Sequence, residues 1–78
     1  MTEIRVPELG NGIEAANLQI WLVHEGHTVE KGTELAEMAT EKAVFNIYAP
    51  HRGRVAKFHA REGEDVAVNG LLAEFEEV

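Results

Sequence analysis

Two stretches of this chain share an uneven spacing of apolar residues: Leu18, Trp21 and Val23 in one, Val55, Phe58 and Ala60 in the other. The interval apolar-x-x-apolar-x-apolar fits neither strict alternation nor a helical period, but it fits a strand into which one extra residue has been inserted. Each stretch is therefore predicted to be a bulged or bent strand. Leu35 to Met38 and Val44 to Ala49 also read as strands, so Thr40 to Lys42 must turn the chain between them. That puts Lys42 at a hairpin tip, where a lone lysine is ordinarily a solvated charge.

The two halves of the chain are copies of one another. Residue n matches residue n+37 without a gap: Glu25-Gly26 with Glu62-Gly63, Val29 with Val66, and Leu35-Ala36-Glu37 with Leu72-Ala73-Glu74. Trp21 with Phe58, Leu18 with Val55 and Met38 with Phe75 are conservative matches in the same register. A weaker echo pairs Val6-Pro7 with Ala49-Pro50 and Gly10 with Gly53. Its register is shifted because Gly10 to Gly26 spans six residues more than Gly53 to Gly63. The first half thus carries an insertion, expected at Asn11 to Asn17. The position matching Lys42 falls one past Val78, so two-fold symmetry is expected to set the chain ends and Lys42 at opposite poles.

Glu25-Gly26-His27-Thr28 and Glu62-Gly63-Glu64-Asp65 are turns by composition. Gly32 and Asn69 take matching places in two further turns, and these are the residue types that best tolerate a left-handed backbone. Short strands with turns at this spacing predict an all-β fold, a flattened barrel or sandwich of antiparallel sheets with quasi-two-fold symmetry. No stretch reads as a helix: Gly12 to Asn17 is too brief, and Gly70 to Val78 begins as a strand in the repeat register. The predicted core is Val6, Leu18, Trp21, Val23, Val29, Leu35, Met38, Ile47, Ala49, Val55, Phe58, Ala60, Val66, Leu72 and Phe75. Burial of each large member contributes about 1.5–3 kcal/mol.

Seventy-eight residues make a single domain, residues 1–78, at a length where one core is barely sufficient. The chain has no cysteine, so stability must come from packing and not from disulfides or thiolate-bound metal. It also has no serine, which excludes a Ser/His/Asp site as the missing thiol excludes a Cys/His one. The seven glycines are dispersed at turns and form no phosphate-cradling loop. The formal charge is −7, and the seven Lys and Arg are scattered, so nucleic-acid binding is not expected. No apolar run approaches the roughly 20 residues of a membrane span, and Met1-Thr2-Glu3-Ile4 lacks the regions of a signal peptide. The expectation is a soluble protein with no membrane partner, cytoplasmic or, in a eukaryotic source, of the mitochondrial matrix.

Other side chains read more simply as structure than as chemistry. His24 and His27 have metal-like spacing but no second pair with carboxylate support, so no metal site is expected. His51 and His59 are expected at the surface, and Glu76-Glu77 at a solvated end. Trp21 is expected in the core because its repeat partner is Phe58.

Six segments together carry a family resemblance over essentially the whole chain. They are Val6-Pro7-Glu8-Leu9-Gly10, Trp21-Leu22-Val23-His24-Glu25-Gly26, Val29-Glu30-Lys31-Gly32, Thr40-Glu41-Lys42-Ala43, Ala49-Pro50 with Gly53, and Glu62-Gly63-Glu64-Asp65-Val66. In order and spacing the sequence resembles the lipoyl domains of the acyltransferase component of 2-oxoacid dehydrogenase complexes. The resemblance implies a barrel-sandwich hybrid of two antiparallel four-stranded sheets. It also implies that Lys42, within the acceptor turn Thr40, Glu41 and Ala43, carries lipoic acid in amide linkage as N6-lipoyllysine. The arm would collect an acyl group from a thiamin-diphosphate 2-oxoacid decarboxylase and pass it to coenzyme A at an acyltransferase catalytic domain. A dihydrolipoamide dehydrogenase would then reoxidise the dithiol. The domain itself would be a carrier with no catalytic residues, in a parent chain that is a dihydrolipoamide acyltransferase and of which it is the N-terminal domain.

A lysine amine is protonated at neutral pH and poorly nucleophilic, so attachment needs an activating, lipoylating enzyme that can reach the tip. Two positions depart from the family. Ala39 stands where the acceptor turn often has Glu, a residue linked to recognition by the lipoylating enzyme. The loop after Leu9-Gly10 reads Asn11-Gly12-Ile13-Glu14-Ala15-Ala16, where the family usually continues with Glu; in the family this loop packs near the acceptor turn and helps the decarboxylase choose its domain. A biotin carrier domain shares the fold and the hairpin lysine but flanks it with methionines, in place of Glu41 and Ala43. A glycine-cleavage carrier is longer and has added helices, and a third reading is an unmodified interaction module.

Overall fold

The computed structural model describes residues 1–10 and 12–78, so the expectation for Asn11 lies outside the described residues. The chain forms eight strands: β1 (Thr2–Arg5), β2 (Ala15–Trp21), β3 (Thr28–Val29), β4 (Glu34–Ala39), β5 (Val44–Tyr48), β6 (Gly53–Phe58), β7 (Asp65–Ala67) and β8 (Leu71–Glu77). They make two antiparallel four-stranded sheets, ordered β1-β8-β6-β3 and β5-β4-β2-β7. The 37-residue shift carries β2 onto β6, β3 onto β7 and β4 onto β8, and the weaker echo carries β1 onto β5. One sheet order therefore maps onto the other, as the repeat requires. Among the described residues there is no helix, and so none long and apolar enough to cross a membrane.

The symmetry extends to the irregularities. The β2–β4 register slips between Leu18 and Ile20, and the β6–β8 register slips between the equivalent Val55 and Lys57. These are the two extra residues that the apolar spacing demands. Just beyond each slip a carboxylate from the opposite half accepts a backbone N–H: Trp21 donates to Glu62 Oε2 at 2.8 Å, and Phe58 donates to Glu25 Oε2 at 2.7 Å. The matched turns also agree in backbone: Gly26 and Gly63 have φ of 88° and 89°, and Gly32 and Asn69 have 85° and 67°.

The core lies between the sheets, with Leu18, Leu35, Met38, Leu72, Val55, Val6 and Phe75 essentially sealed from solvent. Three expected members, Trp21, Val29 and Phe58, are only half-buried and pack against its margin. Trp21 and Phe58 stack on each other, 4.1 Å between centroids, so each ring covers the other in place of being enclosed by both sheets. Ile4, Ala16, Ala36 and Ala73 are buried as well. A second pair of register slips, between Glu34 and Ala36 in β4 and between the corresponding partners Leu71 and Ala73 of β8, turns Leu35-Ala36 and Leu72-Ala73 inward as consecutive pairs. Simple alternation would put only one of each pair inside.

The inserted segment is shorter than expected. Ala15, Ala16 and Asn17 already belong to β2 and pair with Ala67, Val66 and Asp65 of β7. The turn Thr40–Ala43 between β4 and β5 has as its symmetry equivalent the open end between β8 and β1, where Thr2 lies opposite Phe75. The two-fold relation thus sets Lys42 and the chain ends across the axis from one another.

Candidate functional site

The β4–β5 ladder stays paired to its last step, Ala39 opposite Val44, and leaves four residues to reverse the chain. Thr40 closes this turn. Its N–H donates to the Ala43 carbonyl at 2.8 Å, while its Oγ1 accepts the N–H groups of Lys42 and Ala43, each at 3.2 Å. The hydroxyl also donates to the Ala43 carbonyl at 3.4 Å. A threonine hydroxyl bonding backbone groups two and three residues on is a local turn device, and here it fixes the backbone from which the lysine side chain springs.

Glu41, Lys42 and Ala43 are exposed, and Thr40 is half-buried beneath them. Lys42 takes part in none of the ion pairs among the described residues. The exposed side chain thus projects from the end of the β4–β5 ladder without an ion-pair partner among the described residues. Thr40, Glu41, Lys42 and Ala43, which the sequence places at a hairpin tip, form the turn between β4 and β5.

Two hollows flank the turn. One, of about 420 Å³, lies between Thr40-Glu41-Lys42 and the loop residues Gly12, Ile13, Glu14 and Ala15. This is where the resemblance placed the altered loop. The other, of about 430 Å³, is bounded by Ala15, Ala16, Asn17, Ala39, Thr40, Glu41 and Asp65. Sequence reasoning missed the second because Asp65 reaches the turn only through the β2–β7 pairing. It also missed Thr40 as the residue holding the turn, although a hydroxyl two residues before the lysine was the available signal.

The remaining candidates stand apart from this pole. His24 and His27 meet edge to face with 5.4 Å between ring centroids, and no group of three potential metal ligands occurs among the described residues. His59 is at the surface beside Glu74, as expected. His51 is half-buried instead: its Nε2 lies 2.9 Å from Thr2 Oγ1, its Nδ1 lies 2.8 Å from the Arg52 carbonyl, and its ring rests against Phe75. Its side chain fastens β1 to the turn before β6, which explains the departure from a solvated position.

A doubled β sandwich that presents an exposed lysine at a hairpin apex defines a class, the small β carrier domains, and the comparisons with known proteins agree with that class. The family model described as Biotin-requiring enzyme, covering biotin and lipoyl attachment domains, matches residues 2–75, and the chain belongs to this family. It is 42% identical over 71 residues to the dihydrolipoyllysine-residue acetyltransferase component of the pyruvate dehydrogenase complex of Rhizobium meliloti. It is 36% identical over 75 residues to the dihydrolipoyllysine-residue succinyltransferase component of the 2-oxoglutarate dehydrogenase complex of Bartonella vinsonii. These alignments cover 90% and 96% of the chain but only 16% and 18% of the relatives. In fold it matches the lipoyl domain of the 2-oxoglutarate dehydrogenase complex of Azotobacter vinelandii, with a TM-score of 0.82, 23% identity, and coverage of 99% of this chain and 98% of that one. It also matches part of a single-chain, multi-domain long-chain acyl-CoA carboxylase, with a TM-score of 0.77 over 91% of this chain and 8% of that one at 21% identity.

Proposed function

We propose that the domain is a lipoyl carrier, with lipoate in amide linkage to Lys42 Nζ, serving a 2-oxoacid dehydrogenase complex. The observation that carries this reading is the exposed, unpaired Lys42 at an apex pinned by Thr40, within the Thr-Glu-Lys-Ala pattern. Bound lipoate supplies a disulfide that can take up an acyl group with two electrons and release them elsewhere. The chain's own contribution is presentation. The β4–β5 ladder holds the attachment point at the end of the sandwich, and the absence of cysteine leaves no internal thiol to exchange with the carried disulfide. Forming the amide removes the positive charge of Lys42, leaving Glu14 and Glu41 around a neutral arm.

The partners that fit this role are a lipoylating enzyme, a thiamin-diphosphate 2-oxoacid decarboxylase, an acyltransferase catalytic domain and a dihydrolipoamide dehydrogenase. Both curated relatives named above are acyltransferase components of such complexes, which supports the assignment. A second reading, a biotin carrier, is equally compatible with the family model, which spans both modifications. The flanks Glu41 and Ala43, in place of methionines, weigh against it.

The test is intact mass after incubation with a lipoylating enzyme and lipoate, and separately with a biotin ligase and biotin. One lipoyl group per chain is the expected result. Biotin attachment alone would support the second reading, and no attachment by either enzyme, with Ala39→Glu unmodified as well, would support an unmodified interaction module.

A further inference from the structure

The repeat supplies a reference for the surface beside the Lys42 turn. In register, Asp65 of β7 faces Asn17 of β2, and Asn17 faces Ala39 of β4. The equivalent row on the other sheet is Thr28, Arg54 and Glu76. There Arg54 and Glu76 meet in an ion pair at 3.3 Å, so long side chains cover the ladder. At the Lys42 pole the counterparts are short: Ala39 stands for Glu76, Asn17 for Arg54 and Ala15 for Arg52. The space they leave is the hollow of about 430 Å³ beside Thr40, Glu41 and Asp65. Its polar atoms are bonded to one another. Asn17 Nδ2 donates to the Gly63 carbonyl and to Asp65 Oδ1, each at 2.9 Å, and Asn17 Oδ1 accepts from Gln19 Nε2. The Thr40 hydroxyl is bonded within its own turn. The floor therefore offers the methyl groups of Ala15 and Ala39, and the exposed carboxylates of Asp65 and Glu41 stand at the rim. A guest suited to it is small, uncharged and poor in hydrogen-bonding groups, because satisfied polar atoms gain little from a polar guest and the carboxylates repel an anion.

We infer that the oxidised dithiolane ring of the lipoyl arm rests in this hollow, against Ala15 and Ala39, when no partner enzyme holds it. The inference rests on the carrier reading given above and adds to it that the domain which presents the arm also seats it. Thr40 and Glu41 wall the hollow, so a flexible chain attached to Lys42 begins at its edge. A tethered guest has a roughly millimolar effective concentration, so a modest apolar contact holds it without a deep pocket. The cyclic disulfide is neutral and apolar and matches that floor, whereas a thiolate is opposed by Asp65 and Glu41. Seated there, the disulfide is shielded from small thiols in solution, which attack it as anions.

The test uses the fully lipoylated domain as wild type and as Ala39→Gln, which fills the hollow without adding charge. A backbone amide spectrum of the unlipoylated variant that differs from wild type only around residue 39 shows that it is folded. In wild type, nuclear Overhauser contacts should join the dithiolane protons to the methyl groups of Ala15 and Ala39, and in the variant the contact to Ala15 should be lost. Dithiothreitol should reduce the disulfide of Ala39→Gln about twofold or more faster than that of wild type, since a seat occupied half the time halves the rate. Alkylation of the freed thiols followed by intact mass reads that rate. Absence of the contacts in wild type, or equal reduction rates in the two proteins, would overturn the resting place while leaving the carrier reading intact. A wild-type domain to which a lipoylating enzyme attaches no lipoyl group would overturn both.

Discussion

Trp21 and Phe58, counterparts in the 37-residue repeat, stack on each other with 4.1 Å between ring centroids and 11° between planes. Residues related by a two-fold axis can touch their own equivalents only beside that axis, so this pair marks where the halves meet. The backbone N–H of each ring-bearing residue is bonded by a glutamate of the other half. The interlock joins side-chain packing to the polar needs of two bulged strands, and it holds rigid the framework that presents Lys42.

Removing one ring should loosen that junction. Phe58→Ala is expected to cost about 2–3 kcal/mol, the lower range for a large aromatic because the ring is half-buried. Trp21 is the one tryptophan of the chain, so its fluorescence and near-ultraviolet circular dichroism should change with the substitution. Urea denaturation of Phe58→Ala with the wild-type midpoint would contradict this role.

The glutamates should behave as a matched pair. Glu25→Ala and Glu62→Ala each leave a backbone donor to water, and each should lower stability by about 1 kcal/mol. Because the repeat gives them equivalent geometry, their denaturation midpoints should shift alike. A large shift for one and none for the other would deny the functional equivalence of the two halves.

In the 37-residue register Gly53 breaks the symmetry, since its counterpart there is Ala16. A Cβ at Gly53 would collide with the Glu76 carbonyl oxygen and sit 2.5 Å from Phe75 Cε2, so Gly53→Ala forces β6 away from β8. The expected cost is about 2–3 kcal/mol. A thermal midpoint equal to wild type would show that β8 yields more readily than its buried position implies.

Much of this architecture was legible because the sequence states it twice. The repeated Glu-Gly pairs, the matched apolar spacing and the Gly32/Asn69 correspondence gave the symmetry, the bulges and the turns. What stayed hidden depended on contacts between the copies. Alternation could not foresee that Leu35-Ala36 and Leu72-Ala73 both turn inward, since that follows from a register slip against β5 and β1. The identical Glu25 and Glu62 read as turn formers, and their partners across the axis become visible only in three dimensions. The hairpin turn was legible because Thr40, Glu41, Lys42 and Ala43 are contiguous, whereas the Asp65 hollow joins residues distant in sequence.

The Thr40–Ala43 turn should respond to changes that hardly affect stability. Thr40→Val removes the hydroxyl that accepts two N–H groups, so it should slow lipoylation severalfold while costing less than about 1 kcal/mol, and Thr40→Ser should restore the rate. Ala39→Glu should raise the rate. Mass-spectrometric time courses with one lipoylating enzyme check both, and a Thr40→Val rate equal to wild type would remove the turn's fixed geometry from the account.

The most direct measurement is the transfer of a labelled acyl group from a 2-oxoacid to the lipoylated domain, with peptide mapping of the site that carries the label. Pyruvate, 2-oxoglutarate and a branched-chain 2-oxoacid would each be supplied with its decarboxylase. The carrier account predicts one acyl group per chain from at least one of them, on the peptide containing Lys42 and absent from Lys42→Arg. A fully lipoylated domain that takes no label from any of the three, or label that persists in Lys42→Arg, would contradict it.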